Sequence, residues 1–146
     1  IKGVLSSSAL LSIKLNMSGN IDFSADIVHD EKTMEITSES KGTTYKKLLC
    51  AAFDMAVLKN YAQRSFFRFV YHDGLLEGLD NRKKNNFLRL VKEYCTSYGL
   101  QYILTVITAD LPRDENDKAL EFKKEEIIRE LSDEGQEGRL FNLPKF

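Results

Sequence analysis

The sequence contains only two cysteines, two histidines and two prolines among 146 residues, and no tryptophan. Cys50 and Cys95 lie far apart, each inside a helical pattern, and neither is near His29 or His72 in sequence. No Cys/His cluster therefore reaches the spacing of a metal site. Lone thiols of this kind are expected to be buried and reduced, which suits a reducing cytoplasm. No apolar run approaches the ~20 residues that a membrane helix needs, so no membrane partner is expected. The opening IKGVLSSSALL lacks the charged start and long apolar core of a signal peptide. It also lacks an initiator Met, which points to a piece of a longer chain. The net charge is −1, so no global field draws the protein to nucleic acid or to an anionic membrane. Lys46-Lys47 and Arg82-Lys83-Lys84 read as solvated helix faces. A GxxxxGK[ST] phosphate loop is also missing, so this chain by itself offers no cradle for nucleotide phosphates.

A hydrophobic content of 42% and a charged content of 29% are ordinary for one globular domain. Residues 1–39 read as a β-meander. Leu11, Ile13, Leu15 and Met17 alternate with Ser12, Lys14 and Asn16, and after Ser18-Gly19-Asn20 the alternation resumes at Ile21, Phe23, Ala25 and Ile27. Period two with turn residues between runs predicts two or three antiparallel strands. Residues 40–146 change period. Leu48, Ala52, Met55 and Ala56, with Leu49 and Phe53 beside them, predict a helix from about Thr43 to Tyr61, capped by Thr43 or Thr44. An apolar strand, Phe66 to Tyr71, follows. Phe87, Val91, Tyr94 and Tyr98 then recur at spacings of 4, 3 and 4, a helix with Asp80 or Asn81 as its cap and Gly99 as its stop. Leu100 to Thr108 is a further apolar run. Strand, helix, strand with both strands apolar throughout predicts a βαβ unit in a buried parallel sheet. FKKEEIIREL reads as a last short helix, and GRLFNLPKF as a terminal strand or tail.

Three polar features stand out against this α/β frame. Ligands of open parallel sheets sit beyond the carboxyl ends of the strands, and Asp73 lies at such an end. Taken alone, it is more often a simple cap for the next loop. Ser40-Lys41-Gly42-Thr43 opens the first long helix, where free amides and the helix dipole suit an anion, although Ser and Thr are also routine caps there. Leu79-Asp80 follows Asp73 at an offset of six and seven residues.

The ordered set resembles the C-terminal half of an ABC-type ATPase head of the SMC, RecF and RecN kind. More closely, nearly the whole chain is similar to a bacterial domain-of-unknown-function family, number 2326, that closes the C-terminus of SMC-like proteins. Ser40-Lys41-Gly42-Thr43 looks like the signature motif, usually Ser-Gly-Gly-Gln, Phe67 to Asp73 like Walker B, and Leu79-Asp80 like the D-loop. Tyr102 to Thr108 looks like the strand that leads to the switch histidine. The resemblance implies the C-terminal lobe of a P-loop ABC-type head, a parallel βαβ core carrying an antiparallel meander. It implies ATP and Mg²⁺ as cofactors, held only together with an N-terminal half that brings the Walker A loop across a long coiled coil. Asp73 would hold the Mg²⁺. Ser40, Lys41, Gly42 and Thr43 would face ATP held by a second head in a homodimer, and Asp80 would sit at that interface. DNA, reached through the complete protein, is the expected target, in maintenance or defence.

Two departures bear on chemistry. Gly74 stands where ABC enzymes carry the catalytic glutamate, and Ala109-Asp110 stands where the switch histidine belongs. Glu77 is the only carboxylate between Asp73 and Asp80, which makes it the candidate catalytic substitute; as a bland alternative it is a solvated loop acid. Moving the register to place His72 as the Walker B acid would spoil the D-loop spacing, so His72 is read as a structural strand-end residue. Rival readings are a non-hydrolysing nucleotide-gated scaffold, or a plain protein-interaction domain.

Overall fold

A computed structural model describes residues 1–36, 42–132 and 134–141. A single helical turn, α1 (Lys2–Leu5), leads into β1 (Ser8–Leu15). β1 pairs antiparallel with β2 (Ile21–Asp30) in a register that sets Leu11 opposite Ala25, Ile13 opposite Phe23 and Leu15 opposite Ile21. Asn16 closes the turn, its side-chain carbonyl accepting from the amides of Ser18 and Asn20 at 3.0 Å each. The short β3 (Glu35–Ile36) joins the other edge of β2 after a register shift. This is the three-stranded meander that the alternation predicts.

Then come α2 (Thr43–Tyr61), β4 (Phe69–Asp73), α3 (Asn81–Tyr98) and β5 (Gln101–Thr105). β4 and β5 pair in parallel, Phe69 opposite Gln101 through Asp73 opposite Thr105, with α3 as the crossover. The architecture is thus mixed α/β, one antiparallel and one parallel sheet. α2 buries Leu48, Leu49, Ala51, Met55 and Leu58; Leu48, Leu49 and Met55 belong to the stripe that periodicity picks, whereas Ala51 rather than Ala52 turns fully inward and Phe53 and Ala56 are exposed. Ile27 of β2, Leu48 of α2, Phe87 of α3 and Leu76 of the β4–α3 loop join one core. Ile27 and Leu76 are fully buried.

The structure corrects four expectations. The parallel pair is not buried on both faces: Val70, His72, Tyr102 and Leu104 turn toward the helices, while Phe69 and Tyr71 are 52% and 53% exposed. α2 and α3 both pack on the face that carries Val70, His72 and Tyr102, so the other face of the pair stays open. Cys50 is exposed, since it falls on the outer side of α2 beside inward-facing Leu49 and Ala51; Cys95 is half-buried, and both thiols are free. Gly42, not Thr43 or Thr44, is the N-cap of α2. FKKEEIIREL forms only a 3₁₀ turn at Lys124–Glu126. A stretch that short is marginal as a helix in water without an apolar face to pack, and Ile128 and Leu131 stay exposed. Lys92 pairs with Glu126 at 2.7 Å and Phe122 rests against the core, which ties the segment down without making it helical.

Candidate site at the β4–α3 loop

The parallel register brings the ends of β4 and β5 level. The Thr105 hydroxyl donates to the Asp73 carboxylate, and the Gly74 amide donates to the Thr105 carbonyl at 3.2 Å. Asp73 itself is exposed. Gly74 has φ 57°, a left-handed conformation in which glycine carries no steric penalty, and it turns the chain away from the sheet. The loop then drops Leu75, Leu76 and Leu79 into the core and leaves Glu77 and Gly78 outside. Apolar residues thereby fix the shape of a loop that lines polar groups.

The first two turns of α2 lie against this loop at three points. The Lys47 ammonium pairs with the Glu77 carboxylate at 2.8 Å and also reaches the Gly74 carbonyl at 3.4 Å. A Cβ on Gly78 would stand 2.9 Å from the Thr44 hydroxyl, so α2 approaches the loop as closely as a glycine allows. Lys83, at the start of α3, donates to the Tyr45 phenol at 3.2 Å and lies 5.3 Å from the Tyr45 ring centroid.

Asp80 caps α3. Its carboxylate accepts from the Lys83 amide at 2.9 Å and pairs with the Lys83 ammonium at 3.0 Å. These bonds to Lys83, the amide first, hold its carboxyl below the ordinary value of 3.8. Lys47 does the same to Glu77, mainly through the direct hydrogen bond. A depressed carboxyl stabilises the fold above its unfolded pKa, and that contribution disappears as pH falls through the folded value. Asp80→Ala is therefore expected to cost about 1 kcal/mol near neutrality, the usual loss for a cap, with little from the half-exposed pair with Lys83. In strong acid the wild-type advantage should shrink. Urea melts of Asp80→Ala beside Asp80→Asn, which keeps a capping oxygen, measure both effects.

The candidates sort as follows. Asp73, Glu77, Asp80, Gly42 and Thr43 lie on or beside one surface, where the strand ends, the loop and the α2 start converge. Ser40 and Lys41 lie outside the described residues. Among the described residues there is no group of three or more His, Cys, Asp and Glu side chains able to hold a metal ion. A Mg²⁺ site needs less than that, since this ion keeps several waters and takes one or two carboxylates plus substrate phosphates. An exposed Asp73 with a neighbouring Thr105 hydroxyl fits such a partial donor set.

Thr44, Lys47 and Thr105 escape sequence reasoning. Their roles depend on the packing of α2 and on the β4/β5 register, which no local pattern prints. His72 also proves more connected than a bare strand-end residue. Its Nε2 lies 3.0 Å from the Asp54 carboxylate and its Nδ1 lies 2.7 Å from the Tyr102 phenol. A carboxylate can only accept, so Nε2 carries a proton toward Asp54, and in the neutral ring Nδ1 accepts from the Tyr102 hydroxyl. Burial, followed by the Asp54 charge, pushes the Tyr102 phenol above its ordinary range. This network joins α2, β4 and β5 on the inner face of the sheet, one residue from Asp73.

No helix among the described residues is long and apolar enough to cross a membrane. No curated protein and no solved structure matches the chain. A family model described as an uncharacterised protein conserved in bacteria, DUF2326, matches residues 2–144, and the chain belongs to that family.

Proposed function

We propose that the chain is the C-terminal half of an ABC-type, SMC-like ATP-binding head that pairs with a second head around ATP. The observation that carries this reading is the meeting of Asp73, the Asp73–Asp80 loop and the start of α2 at one surface, linked through Lys47, Thr44 and the Tyr45–Lys83 contact. An acid at a strand end beside a helix start suits a magnesium-bound phosphate. Asp73 would hold the Mg²⁺ of bound ATP, which supplies charge neutralisation at the phosphates. Residues 40–43 would face the nucleotide of the partner head, and Asp80 would lie at the seam. The uncovered face of β4 and β5 leaves room for a further layer, the place for an N-terminal half carrying the phosphate loop. The output would be a conformational cycle, in cytoplasmic DNA maintenance or defence, on resemblance alone.

The test is a comparison of the complete protein with Asp73→Ala by light scattering, with and without Mg-ATP. Nucleotide-dependent pairing of wild-type heads, lost in the variant, is the expected result. The isolated chain should neither hydrolyse ATP nor bind it tightly, because it has no phosphate loop. Micromolar affinity measured by calorimetry on this chain alone would defeat the reading. Gly74 and Ala109 favour a second reading, a nucleotide-gated scaffold without hydrolysis.

A further inference from the structure

A different surface lies at the opposite end of β4 from Asp73. The segment 62–68 joins α2 to β4, and together with Tyr61, the last residue of α2, it exposes three aromatic rings. Tyr61 is 40% exposed, Phe66 41% and Phe67 70%. Their centroids step along the surface, 4.8 Å from Tyr61 to Phe66 and 5.6 Å from Phe66 to Phe67. Arg64 lies over the Tyr61 ring at 5.4 Å, and Arg68 follows Phe67 directly. Lys59 stands at the same end of α2, its ammonium 5.5 Å and 5.3 Å from the rings of Tyr94 and Tyr98.

Charge is distributed just as unevenly. Residues 55–69 and 94–102, which build this end of the molecule, contain no carboxylate, although the whole chain has net charge −1. None of the ion pairs among the described residues involves Lys59, Arg64 or Arg68. The backbone is nonetheless fixed: the Arg64 amide donates to the Tyr61 carbonyl at 2.8 Å, and the Gln101 amide to the Arg68 carbonyl at 2.7 Å. The rings and cations are thus displayed from a held segment.

We propose that this end of the protein binds single-stranded nucleic acid, without preference for base or sugar, by stacking bases on Tyr61, Phe66 and Phe67 while Arg64 and Arg68 meet the phosphates. Unpaired cations interleaved with exposed rings are what such strands need, since every base has a π-face and every linkage a negative charge. A protein partner is the weaker fit. The only aliphatic side chain of the segment, Ala62, is buried. The aliphatic surface of the molecule lies elsewhere, on the β1–β2 hairpin, where Ile13, Leu15 and Ile21 are exposed. The inference does not rest on the ATP-head reading and needs no nucleotide.

The experiment is fluorescence anisotropy of the purified protein with a labelled oligothymidylate of roughly 16 nucleotides, without ATP or Mg²⁺. Binding is expected at low salt, with a log–log salt slope of about −1.4 for two neutralised phosphates. Phe67→Ala should weaken it by about tenfold, the scale of one lost stacking contact. Arg64→Ala and Arg68→Ala should each flatten the slope by roughly 0.7. Lys32→Ala, at the distant β2–β3 turn, should change nothing, and an oligouridylate should bind equally. Circular dichroism confirms that each variant is folded. Absence of binding at low salt overturns the proposal. So does Phe67→Ala binding like wild type, which would leave only diffuse electrostatics. Loss of association with the N-terminal half in Phe67→Ala, with the oligonucleotide still bound normally, would assign the surface to a protein contact instead.

Discussion

If the proposed ATP-head reading holds, ATP turnover by the complete protein is expected to lie well under ~1 s⁻¹, and Glu77→Gln to lower it by a further factor of about 10²–10⁴ if Glu77 acts as the base. The first expectation follows from Gly74, which has no side chain to polarise an attacking water at the position after Asp73. The second follows from position: Glu77 is the one carboxylate between Asp73 and Asp80, and it stands on the exposed rim of the same loop. Its present partner works against it. Lys47 holds the Glu77 carboxylate at 2.8 Å and depresses its pKa, which makes it a weaker base than a free glutamate. Catalysis by Glu77 therefore requires Lys47 to release it. Lys47→Met should return the Glu77 carboxyl toward its ordinary range and raise turnover, while Glu77→Gln should trap an ATP-bound head pair. Steady-state phosphate release, with light scattering for the pairing, measures both. Unchanged turnover in Glu77→Gln would remove Glu77 from the mechanism. Negligible basal turnover in the wild type as well would favour the scaffold reading.

Leu76→Ala is expected to destabilise the fold by about 2–5 kcal/mol, the range for emptying a fully buried leucine site. Total stability of an ordinary domain is about 5–15 kcal/mol, so one substitution would remove a large share of it. The melting temperature should drop by roughly 10 °C or more. Leu76 sits in the loop that carries Gly74 and Glu77, and its neighbours Leu75 and Leu79 enter the same core. The substitution thus reports how firmly the candidate site is anchored. A urea melt with a lower midpoint and unchanged slope is the expected form of the result. A wild-type midpoint would mean that the loop does not pack into the core as described.

Much of the fold is legible because its signals are local. Alternation marks β1 and β2, and the Asn16 turn separates them. The α2 span is readable from helical spacing to the residue, Thr43–Tyr61, and Asp80 and Gly99 bracket α3 because a cap and a left-handed stop act within one turn. The strands are less sharply drawn. Phe66–Tyr71 reads as a strand in sequence, whereas the ladder covers Phe69–Asp73, since a ladder begins only where β5 supplies a partner. Likewise the run from Leu100 to Thr108 yields a strand only over Gln101–Thr105, and the remainder leaves the sheet.

The sequence by itself determined the existence of β1, β2, α2, β4, α3 and β5, where the long helices start and stop, and which acids lie at strand and helix ends. These depend on backbone preferences and on side-chain period, both set by near neighbours. Only the tertiary structure decided what those ends face. Lys47 meets Glu77, Thr44 meets Gly78, and Tyr102 meets His72 across 30, 34 and 30 residues of chain respectively. Contacts at that separation follow from how the helices dock on one side of a two-stranded sheet. The same docking explains the exposed face of β4. An apolar strand records that it can be covered on both sides, but the covering layers are a property of the whole assembly.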